Sequence, residues 1–415
     1  MWSHGMRRAA PSAAAAAAAA SLGLGLGLGA ATGSSWLWPA PPAALCDGQR
    51  ARLDGPRAAL GVVPGGDKES PALYKSQFAT AYDAAARQSE ARREANQPTN
   101  QQSSGAGETE QAEQRVRRGI ATHLMSKLGY SREELAALGD DVLRMQGVNS
   151  PFPLAQLRRG ESVLDLGSGF GADAFLAAHK VGDQGRVVGL DISAEEVRQA
   201  RSRAVQRFGV SQERCSFVTG DMEMLPMEAA SLDCVISNGG FCLCPDKLKA
   251  FGEIFRVLKP GGRLAIACTV LRTPSLPPLE GKRWPPCMEV FMPQAAALPL
   301  LAELGFTAIA VDDSNAAMDV WDIREGDVGS VSSAMVAAAE AGRGEGEGEL
   351  CSHAKKASER RAAERVNTYL CQEREAGIHS GNPDYGFVED VDMNSLCARV
   401  VIFAVKPPAT GAAAQ

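Results

Sequence analysis

Ser162-Val163-Leu164-Asp165-Leu166-Gly167-Ser168-Gly169-Phe170-Gly171 decides how the rest of this chain is read. Val163 to Leu166 is an apolar run with the look of a buried strand. Three alternate glycines follow, and a helical pattern runs on from Ala172 to Lys180. Strand, glycine turn and helix is the arrangement by which an α/β sheet brings its backbone against a ligand. Glycine suits the turn because it accepts positive φ and puts no Cβ in the ligand's way. With Ala172 counted as the last small residue, the stretch also satisfies the dinucleotide pattern G-x-G-x-x-G/A. The elbow alone therefore leaves its ligand open.

Downstream the pattern alternates. Gly185 to Asp191 reads as a second strand ending in an acid, and Ser193 to Glu196 as a capping box. Val197, Ala200, Ala204, Val205 and Phe208 make one apolar helix face. Cys215–Val218 and Leu232–Ser237 are further strands, the second ending at Asn238. Pro245 reads as the start of a helix, where its missing N–H costs little. Lys259-Pro260-Gly261-Gly262 is a turn before a fifth strand, Arg263–Cys268. A helix from Gln294, a strand at Thr307–Val311 and a last strand at Arg399–Val405 complete the pattern. The expected fold is α/β: a doubly wound, Rossmann-like sheet, mostly parallel with an antiparallel last strand.

Around this core the chain is uneven. Residues 1–46 contain no acid; Arg7 and Arg8 precede an alanine run and a Leu-Gly alternation. They read as a targeting or low-complexity segment, so the expected location is an organelle (plastid or mitochondrion) or the cytoplasm. Alanine and glycine are too weakly hydrophobic for a stable membrane span. Residues 47–120 are polar and partly disordered in character, although Leu73–Glu94, with Tyr74, Phe78, Tyr82 and Ala85 at helical spacing, predicts a helix. The core is placed at 121–320, an insertion at 321–395, and the last strand of the sheet at 396–408. The net charge of −6 gives no basic surface for nucleic acid. Ten cysteines scattered over 415 residues are not a disulfide scaffold. The expected partner is a small-molecule or metalloid substrate, and the expected state a monomer.

Two cofactors compete for the elbow. An acid at the end of strand two, Asp191, would accept ribose hydroxyls in either a dinucleotide fold or an S-adenosylmethionine fold. Three further features favour S-adenosylmethionine. Asp165 stands two residues before Gly167. Asp221 after strand three suits an adenine amino group, with Met222 against the ring. Leu258 to Leu264 forms the turn that precedes strand five in that superfamily. The cofactor set read from the sequence is Asp165, Gly167, Gly169, Asp191, Ile192, Asp221, Met222 and Asn238.

Over about Leu128 to Gly305 the chain resembles the arsenite methyltransferases. Leu128-Gly129-Tyr130-Ser131-Arg132-Glu133-Glu134-Leu135, the elbow with Phe175-Leu176-Ala177-Ala178, and Val235-Ile236-Ser237-Asn238 followed by Leu243-Cys244-Pro245-Asp246-Lys247 carry the likeness. The resemblance implies trivalent arsenic bound by cysteine thiolates, with a thiol reductant such as glutathione or thioredoxin. It also exposes departures. A cysteine is expected directly after Ser-Asn, where this chain has Gly239, and another where it has Val148; only Cys287 falls near an expected later thiol. Cys242, Cys244, Cys268 and Cys287 are therefore the candidate arsenic ligands, with Cys242, Cys244 and Cys287 the candidate catalytic thiols. The plain alternative is that these are small packing residues beside a pocket for an organic acceptor such as a quinone, phenol or sterol-like lipid, lined by Phe241, Trp284 and Phe291. A non-catalytic S-adenosylmethionine-binding module is the third reading.

Overall fold

The computed structural model describes residues 70–95, 118–206, 208–318, 387–388 and 390–409. The targeting segment, most of the 321–395 insertion, and Cys46, Cys351 and Cys371 lie outside these residues.

Helix α1 (Pro71–Ala95) comes first among the described residues. A helical stretch at 118–127, α2, then leads through α3 (Arg132–Leu138), a 3-10 turn (Gly139–Arg144) and the short α4 (Phe152–Ala155) into the sheet. There follow β1 (Ser162–Leu166), α5 (Ala172–Val181), β2 (Arg186–Asp191), α6 (Ala194–Gln206), β3 (Cys215–Thr219), β4 (Leu232–Asn238), a 3-10 turn (Phe241–Leu243) and α7 (Lys247–Val257). The chain closes with β5 (Leu258–Leu271), α8 (Pro286–Glu289), α9 (Gln294–Glu303), β6 (Thr307–Asp312), α10 (Met393–Leu396) and β7 (Cys397–Val405).

The seven strands lie in the order β3-β2-β1-β4-β5-β7-β6. β1 to β5 run parallel; β7 pairs antiparallel with β5 and with β6. The sheet is thus the expected mostly parallel one with an antiparallel closing strand. Strand alternation feeds two cores, because successive side chains point to opposite faces. Val163, Cys234, Ile236 and Ala265 join a cluster with α5 and α6 residues such as Phe175 and Val197. Leu164, Val235, Leu264 and Ile266 join the other, with Phe251 and Ile254 of α7 and Leu300 of α9. A sheet buried on both faces needs the near-continuous apolar strands seen here. The strand order reverses between β1 and β4, and ligands of such sheets bind at that switch point, beyond the carboxyl ends of the strands.

Element ends follow capping chemistry. Ser131 and Glu134 form a complete capping box on α3. At α6 only half a box forms: the Ser193 hydroxyl accepts the Glu196 N–H at 3.1 Å, while Glu196 itself faces the cleft described below. The helix expected from Pro245 begins at Lys247, because the Asp246 carboxylate accepts the Lys249 N–H at 2.9 Å and caps it there. Val205, read as part of the buried face of α6, is 55% exposed. It lies in the last turn of the helix, and the apolar stripe passes instead to Phe208, which stacks on Phe175 at 4.1 Å.

Candidate functional site

An open cleft lies at the switch point. It is walled by the β1 elbow, the ends of β2, β3 and β4, the 145–146 turn and one face of α1. All eight residues of the sequence-derived cofactor set line it: Asp165, Gly167, Gly169, Asp191, Ile192, Asp221, Met222 and Asn238.

The elbow works by close approach. Gly167, Gly169 and Gly171 have φ of +69°, +50° and +88°. A Cβ on Gly167 would stand 2.7 Å from the Cα of Gly240, so the first turn and the turn after β4 touch backbone to backbone. The elbow is pinned to β2 as well. Gly167 N–H donates to the Leu190 carbonyl at 2.8 Å, and Gly169 N–H to Asp191 Oδ2 at 2.8 Å.

Three buried polar atoms of cleft-lining residues have no hydrogen-bond partner among the described residues: Arg144 Nε, Asp165 Oδ2 and Ser168 Oγ. Buried polar groups are normally satisfied, so orphaned atoms gathered in a cleft mark a space meant for a polar ligand. The cleft is also acidic. Burial pushes the carboxyl of Asp165 well up, and Asp173 and Asp191 add to it. Glu196 is raised by burial and then by Asp191 and Asp83. Asp191 is raised by burial, against which the N–H groups of Ser193, Gly169 and Ile192 hold it back.

Asn238 lines the cleft and its amide also bonds to protein groups on both sides. Its Oδ1 accepts the Val148 N–H at 2.7 Å and the Asn149 N–H at 3.3 Å. Its Nδ2 donates to the Tyr130 hydroxyl at 2.7 Å and to Asp173 Oδ2 at 3.1 Å. Tyr130 donates in turn to Asp173 Oδ1 at 2.7 Å. Burial raises Asp173 to about 6, with Tyr130 and Asn238 opposing the rise. Asn238 thus ties β4, α5, Tyr130 and the 148–149 loop together at the cleft's edge. Asn238→Ala strands these buried partners. The expected outcome is a loss of about 3 kcal/mol of stability, read as a lower denaturant midpoint at unchanged slope.

The thiols divide. Cys244 lines the cleft, while Cys242, Cys268 and Cys287 do not. Cys242 is buried and turned to the Gly239 carbonyl at 2.8 Å. Burial raises its thiol, while N–H groups of Thr269, Cys242 and Leu243 and the Lys247 ammonium restrain the rise. Cys268 is raised further by burial, with Cys242 adding to the rise. Cys287, raised by burial to about 12, packs among Tyr74, Phe78 and Val290. Among the described residues no three His, Cys, Asp or Glu side chains form a group able to hold a metal ion. Cys215 and Cys234 are fully buried strand residues, as their place in the pattern suggested. Gly239, where the resemblance leads one to expect a thiol, has φ +78°, and a Cβ there would meet the Gln146 carbonyl at 3.4 Å. A side chain at that position is strained.

Phe241, Trp284 and Phe291 do not line the cleft. Phe241 packs on Phe251 at 4.5 Å, and the Trp284 indole donates to the Pro277 carbonyl at 2.7 Å.

Helix α1 adds what the motifs could not. Lys75, Phe78 and Tyr82 line the cleft from this helix. The Lys75 ammonium donates to Asp221 Oδ2 at 2.7 Å and to Glu223 Oε2. Asp83 accepts the Ser193 hydroxyl at 2.6 Å and the Glu195 N–H at 3.1 Å. The helical pattern of Tyr74, Phe78 and Tyr82 was visible in the sequence; the surface it would cover was not.

Strand order, the glycine elbow and the acids at the ends of β2 and β3 together decide the architecture. The core has the class I methyltransferase fold. Residues 157–292 match the family model described as a methyltransferase domain. Over 203 residues the chain is 34% identical to an arsenite methyltransferase of Halobacterium salinarum, covering 47% of this chain and 51% of that protein. It is 38% identical over 109 residues to the chloroplastic 2-phytyl-1,4-beta-naphthoquinone methyltransferase of Arabidopsis thaliana, covering 26% of this chain and 42% of that protein. Among solved structures, an arsenic (III) S-adenosylmethionine methyltransferase from Chlamydomonas reinhardtii is 27% identical with a TM-score of 0.35, covering 46% of this chain and 64% of that one. The chain spans about half, or less, of the length of these curated relatives. Among the described residues no helix is long and apolar enough to cross a membrane.

Proposed function

We propose that the chain transfers a methyl group from S-adenosylmethionine to a small acceptor, and that the acceptor is trivalent arsenic. One observation carries the first half: the eight residues named for this cofactor converge on a single cleft holding the orphaned Asp165 Oδ2 and Ser168 Oγ. When bound, the cofactor supplies an activated methyl group on a positively charged sulfur. The chain's own part is to hold and orient. The glycine elbow offers backbone without side chains, Asp191 is set to receive ribose hydroxyls, and Met222 lies in the wall beside Asp221. The acids Asp165, Asp173, Asp191 and Glu196 complement positive charge. Methyl transfer is an in-line displacement, so positioning of the nucleophile is the main demand on the protein.

Two lines support arsenic as acceptor: the similarity to arsenite methyltransferases and the thiol of Cys244 in the cleft wall. Soft thiols suit soft centres, and a lone pair on arsenic needs no general base. A thiol reductant such as glutathione or thioredoxin belongs to this reading. The similarity to a naphthoquinone methyltransferase, and the single thiol in the cleft, favour the second reading, a small organic acceptor.

Speciation of arsenic separates the two. With protein, S-adenosylmethionine, glutathione and arsenite, methylated arsenicals are expected, and Cys244→Ser is expected to lower their formation by on the order of tenfold or more. Cofactor binding without any methylated arsenic would turn the assignment to the organic acceptor.

A further inference from the structure

At the cleft's edge Cys244, Glu223 and Lys75 form a set of side chains that the cofactor reading leaves unused. Cys244 follows the 3-10 turn Phe241–Leu243. Its Sγ lies 3.5 Å from Glu223 Oε1 and 3.5 Å from the Asp246 carbonyl. Glu223 is 3% exposed. Its Oε1 also accepts the Asp246 N–H at 3.0 Å, and its Oε2 receives the Lys75 ammonium. That ammonium bridges to Asp221 at 2.7 Å. Thiol, carboxylate and ammonium thus meet from three separate parts of the chain: the turn after β4, the segment after β3, and α1. Lys75, Asp221 and Cys244 stand in the same cleft as the orphaned Asp165 Oδ2 and Ser168 Oγ, whose unmet hydrogen bonds call for a ligand there.

We propose that Cys244 captures a trivalent arsenical in the cleft and that Glu223 takes the thiol's proton, with Lys75 as the positioning residue that holds Glu223 against the sulfur. The inference rests on the acceptor assignment made above, but capture itself involves no cofactor. In the step, the S–H bond and one As–O bond break and an S–As bond forms. The proton passes to Glu223 and on to the departing hydroxide, which leaves as water. Arsenic stays trivalent and sulfur is not oxidised. A proton acceptor is needed because burial keeps Cys244 a thiol, raised to about 12; Lys247 works against the rise and Glu223 adds to it. Lys247 is held apart from this exchange, since its ammonium donates to the carbonyls of Cys242, Cys244 and Val290.

Glu223 therefore has two effects of opposite sign. As a neighbouring charge it suppresses the thiolate; as a proton acceptor it assists a reaction whose leaving group is hydroxide. Two probes separate them. Phenylarsine oxide capture is timed by quenching with N-ethylmaleimide and mapping the Cys244 peptide by mass spectrometry. Iodoacetamide alkylation, whose leaving group needs no proton, is followed on the same peptide. Glu223→Gln keeps an acceptor for the Asp246 N–H. It is expected to slow capture on the order of a hundredfold while alkylation at pH 7 speeds up several-fold. A purely structural role would move both rates together, and that result, or capture unchanged within about twofold, overturns the proposal. Lys75→Met, at a helix position outside the sheet core, is expected to slow capture about tenfold, with Lys75→Arg restoring it. If Glu223→Gln does not fold, unchanged capture in Lys75→Met overturns the proposal by itself. Methylated arsenic is measured on the same proteins. Turnover without the opposed shifts sinks this inference alone; opposed shifts without turnover sink the acceptor assignment alone.

Discussion

Gly167→Ala is expected to weaken S-adenosylmethionine binding by on the order of a hundredfold and to lower the unfolding midpoint by several degrees. The reason is a contact between two backbones. A Cβ at Gly167 stands 2.7 Å from the Cα of Gly240, and a Cβ at Gly240 stands 2.7 Å from the Cα of Gly167. Neither neighbour is a flexible side-chain tip that could swing away. At φ +69° alanine also carries a left-handed penalty of about 1–2 kcal/mol. The turns must separate, and Gly167 and Gly240, Asp165 and Asn238 all line the cleft between them. Gly252 provides the control. It sits inside α7 with nothing within 4 Å of an added Cβ. Gly252→Ala is expected to leave affinity unchanged and to add about 0.5–1 kcal/mol of stability through helix propensity. Calorimetric titration of both variants with the cofactor, beside thermal unfolding, is the measurement. Unchanged affinity in Gly167→Ala would mean that the elbow does not hold the cofactor.

The elbow was legible because its chemistry is local. A strand, a glycine turn and an acid at the next strand end each announce themselves within a few residues, and the alternation of strands and helices brings those ends to one edge of the sheet. That is why eight residues named from spacing share one cleft. Contacts across the sequence were not legible. Lys75 and Asp221 meet although 146 positions separate them, and nothing in the composition of α1 names its target. Orientation was hidden too. Cys242 and Cys244 stand two residues apart, yet one turns to the Gly239 carbonyl and the other, in the cleft wall, to Glu223, because Cys242 lies inside the 3-10 turn and Cys244 ends it. Asn238 was legible as a residue of the site's edge; that its oxygen and both amide hydrogens are committed to protein partners follows only from packing.

The acidic lining leads to the second large effect. Cofactor affinity is expected to rise with pH, by up to about tenfold per unit for each proton released. Asp173 is raised by burial to about 6, and Asp165 and Glu196 are pushed well up by burial and by each other's acidic neighbours. Without the cofactor these carboxyls keep their protons to higher pH than free carboxyls do. A cation nearby favours their charged forms, so binding expels protons and tightens as pH climbs through the raised values. The sign for folding is opposite. In the empty protein these groups bind more protons folded than unfolded, so their contribution is fullest below the ordinary carboxylate range and is lost as pH rises through their raised values. S-adenosylhomocysteine provides the discriminating ligand, because its sulfur is neutral. Titration calorimetry from pH 6 to pH 8, in buffers of different ionisation enthalpy, counts the protons. The sulfonium cofactor is expected to release more protons than the thioether and to gain more affinity over that interval. Asp165→Asn removes one of the raised acids that line the cleft, and with it the difference between the two ligands is expected to shrink. Equal proton release for both ligands would mean that the acids serve the ribose and amino groups common to both and do not sense the charge on sulfur.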